Sequence, residues 1–292
     1  KILKSEDAFE CINSTARRKV RVLMHQDYEV GSTSEPKICN KHGSKMITAK
    51  VMIDGSQKSL DICPECEKEE INKFQEHLKQ EAAIQSILAN TYKVFDRESI
   101  YSKELEDKTL DNYDAGNKRC EQALNFSKRM LRDYLKYETG NVILSGPPGV
   151  GKSHLSIGIA KALNEKFKEC KQPKSVLFIS TSALFSKIEE SFNNRGDFTE
   201  SYAVNLLSNV DFLFFDDLGK ESSMSGNLKE ANEWRQRVLF KILDNRQTTF
   251  FNTNLSSNDI KTIYNKALAD RIFKGASKHI FKFPEDTESR RY

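Results

Sequence analysis

The sequence predicts an α/β fold: a parallel sheet with helices on both faces, preceded by a small zinc-ribbon-like module and a helical linker. Three observations carry that prediction. Apolar runs of strand length alternate with stretches of helical periodicity over the second half of the chain. One strand–helix junction is the octapeptide Gly146-Pro-Pro-Gly-Val-Gly-Lys-Ser153. Two Cys-x-x-ligand pairs lie within the first 66 residues. Strict strand–helix alternation favours parallel pairing, because each crossover helix returns the chain to the same end of the sheet.

The N-terminal elements come first. Residues 1–30 read as a helical segment whose basic run, Ala16-Arg-Arg-Lys-Val-Arg21, is a solvated face. Residues 31–72 form the metal module. Cys39-Asn-Lys-His42 and Cys63-Pro-Glu-Cys66 each place two ligands on one tight turn. Cys39, His42, Cys63 and Cys66 thus make a Cys₃His set, the donor number and softness of a closed structural zinc site. Cys11 sits alone. Between the pairs, Lys45–Ile53 and Ser59–Ile62 flank Asp54-Gly55, which predicts a β-hairpin. So small a segment lacks the apolar material for its own core, and a metal supplies the missing stability. Residues 73–108 read as a helix and linker. From Glu65 to Asn90, Ile71, Phe74, Leu78, Ala82, Ile84, Ile87 and Leu88 recur at helical spacing, and Thr91–Lys108 has few core residues.

Residues 109–292 read as the main domain. Tyr113–Tyr137 is helical, and Asn141-Val-Ile-Leu-Ser145 is a buried strand. The octapeptide that follows fits G-x-x-x-x-G-K-[ST], the phosphate-binding P-loop pattern, and His154–Phe167 continues as a helix. Gly146, Pro147, Pro148, Gly149, Val150, Gly151, Lys152, Ser153 and His154 are the expected nucleotide contacts, for ATP or ADP. Backbone N–H groups wrap phosphate oxygens there, and the helix adds its positive end. Lys152 reaches the terminal phosphates and Ser153 ligates Mg²⁺. Ser175–Ile179 is the next strand and Thr181–Arg195 the next helix. Val210-Asp-Phe-Leu-Phe-Phe215 then delivers Asp216 and Asp217 at a strand's C-terminal end. In this Walker B arrangement Asp216 holds the Mg²⁺ shell and Asp217 polarises the attacking water. Thr248–Asn252 is a further strand leading to Thr253-Asn254.

The motifs GPPGVGKS, FFDDLGKE, NTNLSS and ALADRIFKGAS together resemble the AAA+ ATPases of the DnaC/DnaI type, the bacterial and phage replicative helicase loaders, over roughly residues 105–292. Lys108–Asp114 looks like that family's lead-in to the ATPase domain, where an apolar residue and an aromatic contact adenine. Glu233–Arg246 looks like its helix between the Walker B and sensor strands. The resemblance implies that Asn254 is sensor 1, with Asn252 also at that strand tip. It implies that Arg271 is an arginine finger acting on ATP held by a neighbouring subunit. It further implies a hexameric replicative helicase as partner, deposited on single-stranded DNA, and self-association into a six-membered spiral in a bacterial cytoplasm. Lys187, Phe192 and Arg195 fall where such assemblies face their channel and are candidate DNA contacts. A transposition-helper ATPase of the IstB type, working with a transposase, is the second reading; that family usually lacks two zinc knuckles.

Composition agrees. The chain has 292 residues, 46 basic against 42 acidic, for a net charge of +4. That balance permits nucleic-acid contact without arguing for it. No apolar run approaches a membrane span and no signal-peptide pattern opens the chain. The six cysteines are clustered rather than spread as a disulfide scaffold.

Overall fold

The computed structural model describes residues 37–53, 56–136, 138–192, 196–220 and 230–289. The basic run at 16–21, Cys11, the Asp54-Gly55 turn, Arg195 and the loop 221–228 lie outside the described residues. The chain divides into two compact units, 1–83 and 84–292.

In the first unit β1 (Ile47–Ile53) pairs antiparallel with β2 (Ser56–Ile62), Ile47 opposite Ile62 and Ile53 opposite Ser56. This is the predicted hairpin. Helix α1 (Pro64–Asn90) follows directly and buries no residue: Ile71, Phe74 and Leu78 stay exposed.

The second unit is built on five parallel strands: β3 (Val142–Ser145), β4 (Val176–Ser180), β5 (Phe212–Leu218), β6 (Thr249–Thr253) and β7 (Ile280–Lys282), in the order β4-β5-β6-β3-β7. Side chains alternate between the two faces, as strand geometry requires. Val142, Leu144, Phe212, Phe214 and Phe250 pack beneath α3 (Lys118–Leu135) and α4 (Lys152–Glu169). Ile143, Leu213, Phe215 and Phe251 meet the other face, covered by α5 (Thr181–Ser191), α6 (Glu200–Asn209), α7 (Glu233–Leu243), α8 (Ser257–Ile263) and α9 (Lys266–Ile272). Phe214 stacks on Phe250 with centroids 4.1 Å apart, so aromatic layers fill the centre of the sheet. No described helix is long and apolar enough to cross a membrane.

Two expectations need correction. Thr91–Lys108 is packed rather than a free linker. A short helix, α2 (Tyr92–Glu98), buries Tyr92, Val94 and Phe95. Ile100 then donates its N–H to Phe178 O at 2.9 Å and accepts from Ser180 N–H at 2.9 Å, covering the edge of β4. Covering that edge removes a row of unpaired backbone groups. The second concerns α5, which ends at Ser191 and not at Arg195.

Arg246 closes the sheet from below. It is 5% exposed and donates to the carbonyls of Leu207, Ser208, Val210, Asp211 and Thr248 and to Thr249 Oγ1, at 2.6–3.3 Å. Burial lowers its pKa to about 10, countered by Asp211. The guanidinium stays charged at neutral pH and serves as a hub for the starts of β5 and β6. Arg246→Met removes the donors while keeping the bulk. It is expected to cost about 3–5 kcal/mol, because several buried carbonyls lose their partners. Urea unfolding measures it; a loss under about 1 kcal/mol contradicts the hub role.

Candidate nucleotide site and metal centre

The loop between β3 and α4 has the conformation its glycines allow. Gly151 sits at φ 95°, and a Cβ there would come within 2.8 Å of the Tyr113 ring. Tyr113 is buried and its ring meets His154 edge-on, centroids 5.1 Å apart. His154 Nε2 lies 2.8 Å from Thr109 O and 2.9 Å from Asn112 Oδ1. Leu110 packs where a Cβ on Gly158 would stand. The segment 109–113 is therefore clamped to the first turns of α4. His154, one of the expected nucleotide contacts, faces that segment through its Nε2.

Lys152 is 5% exposed and folds back over its own loop. Its Nζ donates to Gly146 O (2.9 Å), Pro147 O (2.8 Å) and Asn254 Oδ1 (2.8 Å). Three oxygens thus hold the ammonium at the mouth of the loop. Ser153 Oγ donates to Asp216 Oδ1 at 2.7 Å, and Asn252 Nδ2 donates to the same oxygen at 2.7 Å. Asn252 Oδ1 is buried without a partner among the described residues. Burial pushes the Asp216 carboxyl up and the Asp217 charge adds to the rise, while bonds from Asn252 and Ser153 and the Lys152 charge oppose it. A β-bulge after Phe215 turns the chain so that Asp217 follows at φ 57°. Its Oδ2 accepts from Lys220 Nζ at 3.1 Å.

The two asparagines separate. Asn252 braces the buried aspartate, and Asn254, at the exposed tip, reaches the P-loop lysine. Arg271, in the last turn of α9, donates twice to Asp244 Oδ1 (3.0 and 2.8 Å) and lies over the Phe240 ring. Asn141 ties that helix end to the sheet. Its Nδ2 donates to Arg271 O (2.7 Å) and Ile272 O (3.1 Å), and its Oδ1 accepts from Thr249 N–H (2.8 Å). Sequence reasoning missed Asn141; the single cue was an amide opening the P-loop strand.

Phe192 is 58% exposed and meets the Trp234 ring edge-on at 5.3 Å, so it is not a core residue. Lys187 lies over Phe198. Arg195 lies outside the described residues.

In the first unit the four predicted ligands converge. The donor atoms of Cys39, His42, Cys63 and Cys66 all lie within 4.8 Å of one another. Cys39 Sγ is 3.7 Å from Cys66 Sγ, and His42 Nδ1 is 3.3–3.8 Å from the three sulfurs. A tetrahedron with metal–sulfur bonds of about 2.3 Å has edges of about 3.8 Å. The donors thus frame a hole of zinc's size. Glu69 Oε1 lies 2.9 Å from His42 Nε2 and fixes which ring nitrogen faces the sulfurs, a partner the sequence did not reveal. Hydrogen bonds from Lys41 and then His42 hold the Glu69 carboxyl down at about 2.

A family model for the IstB-like ATP binding proteins matches residues 74–291, three quarters of the chain. The chain belongs to this family. A replicative helicase loader DnaC from Buchnera aphidicola subsp. Baizongia pistaciae is 30% identical over 161 residues, covering 54% of this chain and 56% of that protein. Its counterpart from Buchnera aphidicola subsp. Acyrthosiphon pisum is 25% identical over 173 residues, 58% of this chain and 64% of the relative. The chain thus spans less than two thirds of the length of these curated relatives. A crystal structure of the DnaC helicase loader superposes with a TM-score of 0.50 at 20% identity, covering 63% of this chain and all of that one, which shows a shared AAA+ P-loop fold. As an IstB-like protein the chain is an ATP-binding one. The all-oxygen set of Ser153 and Asp216 suits a hard cation such as Mg²⁺.

The metal centre predicts one zinc per chain by elemental analysis. Glu69→Gln keeps all four ligands and is expected to weaken zinc roughly 10–100-fold, read by competition with a chromogenic chelator. An unchanged affinity removes Glu69 from the site, and a protein purified without metal removes the site.

Proposed function

We propose that this chain is an ATP-dependent loader of a hexameric replicative DNA helicase. The N-terminal region, with zinc module 31–72, docks on the helicase. The helix and packed segment 73–108 joins it to the ATPase domain 109–292, which binds ATP and single-stranded DNA, associates into a hexameric spiral on the helicase ring, and deposits the ring during replication initiation in a bacterial cytoplasm. The observation that carries the reading is one chain holding both a P-loop site with its Asp216 network and a closed Cys₃His centre, in a family whose curated relatives here are helicase loaders.

The residues divide the work. Lys152 exchanges the carbonyls of Gly146 and Pro147 for the terminal phosphates. Ser153 and Asp216 hold the cation, which when bound neutralises phosphate charge. Asp217 gives up Lys220 to orient and polarise water. Asn254, already bonded to Lys152, senses the terminal phosphate. Arg271 leaves Asp244 to reach ATP on the adjacent subunit. Each of these contacts thus has a defined replacement, and hydrolysis acts as a switch between two sets of partners. The DNA contacts fall to Lys187, Phe192 and Arg195, of which Phe192 is an exposed ring of the kind bases stack on.

A transposition helper is the second reading, supported by the IstB-like family model. Mass measurement of the chain mixed with a hexameric replicative helicase separates the two. A defined complex whose ATP turnover responds to single-stranded DNA is the loader result. Turnover without helicase association moves the assignment to the helper.

Within that complex, Asp217→Asn is expected to bind ATP with unchanged affinity and lose turnover. Arg271→Ala should leave single-chain ATP binding within about twofold and cut assembly-dependent turnover by roughly 10³. Normal turnover of Arg271→Ala in the assembly rejects it as the finger.

A further inference from the structure

Helix α3 carries a face of bases that the nucleotide site does not use. Lys118, Arg119, Lys128, Arg129, Arg132 and Lys136 are all exposed. Residues 118–136 hold only Glu121 and Asp133 as acids, six bases against two, a net +4 that equals the net charge of all 292 residues. The excess of the whole protein is therefore matched on one helix. The buried side is Cys120, Ala123, Phe126, Met130 and Tyr134. The opposite line is Lys118, Gln122, Asn125, Arg129, Arg132 and Lys136, at alternating spacings of four and three. Among the described residues none of the six bases is in an ion pair, and their side-chain contacts are with neutral groups: Arg119 bonds Gln122 Oε1 (3.0 Å), and Arg129 bonds Lys278 O (3.3 Å) and lies over the Phe126 ring. The Lys278 contact brings a seventh exposed base beside the line.

A solvated face of ordinary kind mixes signs at i and i+4, because opposite charges there stabilise a helix. Here Lys128–Arg132 and Arg132–Lys136 are like-charged at that spacing, which costs helix stability and serves nothing in the fold. The line runs about 27 Å, the axial length of roughly eight base pairs. It presents no exposed aromatic ring: Phe126 and Tyr134 are both buried. A surface for unpaired bases needs rings to stack on. A surface of charge alone fits a backbone whose bases are hidden.

We propose that α3, with Lys278 beside it, grips the phosphate backbone of duplex DNA without reading sequence. This rests on the reading that the chain works on DNA and adds a second contact, separate from Phe192. Engaged at both places, the protein sits at a junction of duplex and single strand.

The test uses the full chain, a fluorescein-labelled mixed-sequence duplex and a labelled thymidine oligonucleotide, titrated at several salt concentrations. The triple variant Lys128→Gln, Arg129→Gln, Arg132→Gln keeps good helix formers. Its duplex affinity is expected to fall at least about tenfold, and the slope of log affinity against log salt to shrink by about 2–3, near 0.9 per lost phosphate contact. Single-strand affinity, ATP affinity and melting temperature should hold. Unchanged duplex affinity or slope overturns the proposal, as does a wild type that binds the oligonucleotide but no duplex. Loss of helicase association with duplex binding intact also overturns it, marking the face as a protein contact. A wild type that binds neither nucleic acid removes the DNA part of the proposed function itself.

Discussion

The nucleotide half of this molecule is organised around a carboxylate that its sheet buries. Asp216 stands at the end of β5 and is 7% exposed, and its Oδ1 takes bonds from Ser153 on the P-loop helix and Asn252 on β6. One oxygen thus sets the distance between three elements of the site. The arrangement has a cost, because burial disfavours the ionised form. The sign is definite. The folded pKa lies above that of an ordinary carboxylate, so ionised Asp216 subtracts from stability as pH rises past the unfolded value, and protonation restores it. A cation bound beside Asp216 reverses that balance.

The rest of the site is arranged so that this carboxylate can be answered. The β-bulge after Phe215 separates Asp216 from Asp217 and turns the second carboxyl towards Lys220. Lys152 is held by two loop carbonyls and Asn254, partners weaker than a phosphate. Arg271 is held by Asp244, and its backbone is fixed by Asn141 at the foot of β3. The strand that leads into the P-loop therefore also positions the helix that carries Arg271 in its last turn. Under the proposed function, a change at the loop has a short covalent and hydrogen-bonded route to the residue that faces a neighbouring subunit.

Much of this was legible in the sequence because it is written in local spacing. The P-loop octapeptide, the aspartate pair after an apolar strand and the two Cys-x-x-ligand pairs each need only a few consecutive residues, and the structure brings each set together. The parallel sheet followed from strand–helix alternation. What escaped depends on pairings across the fold. Glu69 joins His42 from 27 residues away, and Asn141 meets Arg271 from 130. Three apolar residues in the seven of α2 are too few for a period, so the burial of Tyr92, Val94 and Phe95 did not show. Phe192, a candidate DNA contact, is exposed beside Trp234, a placement that its position on an amphipathic helix did not reveal. The division of labour between Asn252 and Asn254 turns on one residue's difference in depth at a strand tip, which spacing alone does not resolve.

The most direct test of the Asp216 account is thermal melting of the wild type and Asp216→Asn, each without nucleotide, with ATP alone, and with ATP and Mg²⁺. The account predicts that Asp216→Asn melts no lower than the wild type when nothing is bound, because a buried charge has been removed. It predicts that both proteins gain stability from ATP and that only the wild type gains a further increment from Mg²⁺. An equal Mg²⁺ increment in both proteins, or a ligand-free variant that melts well below the wild type, contradicts it.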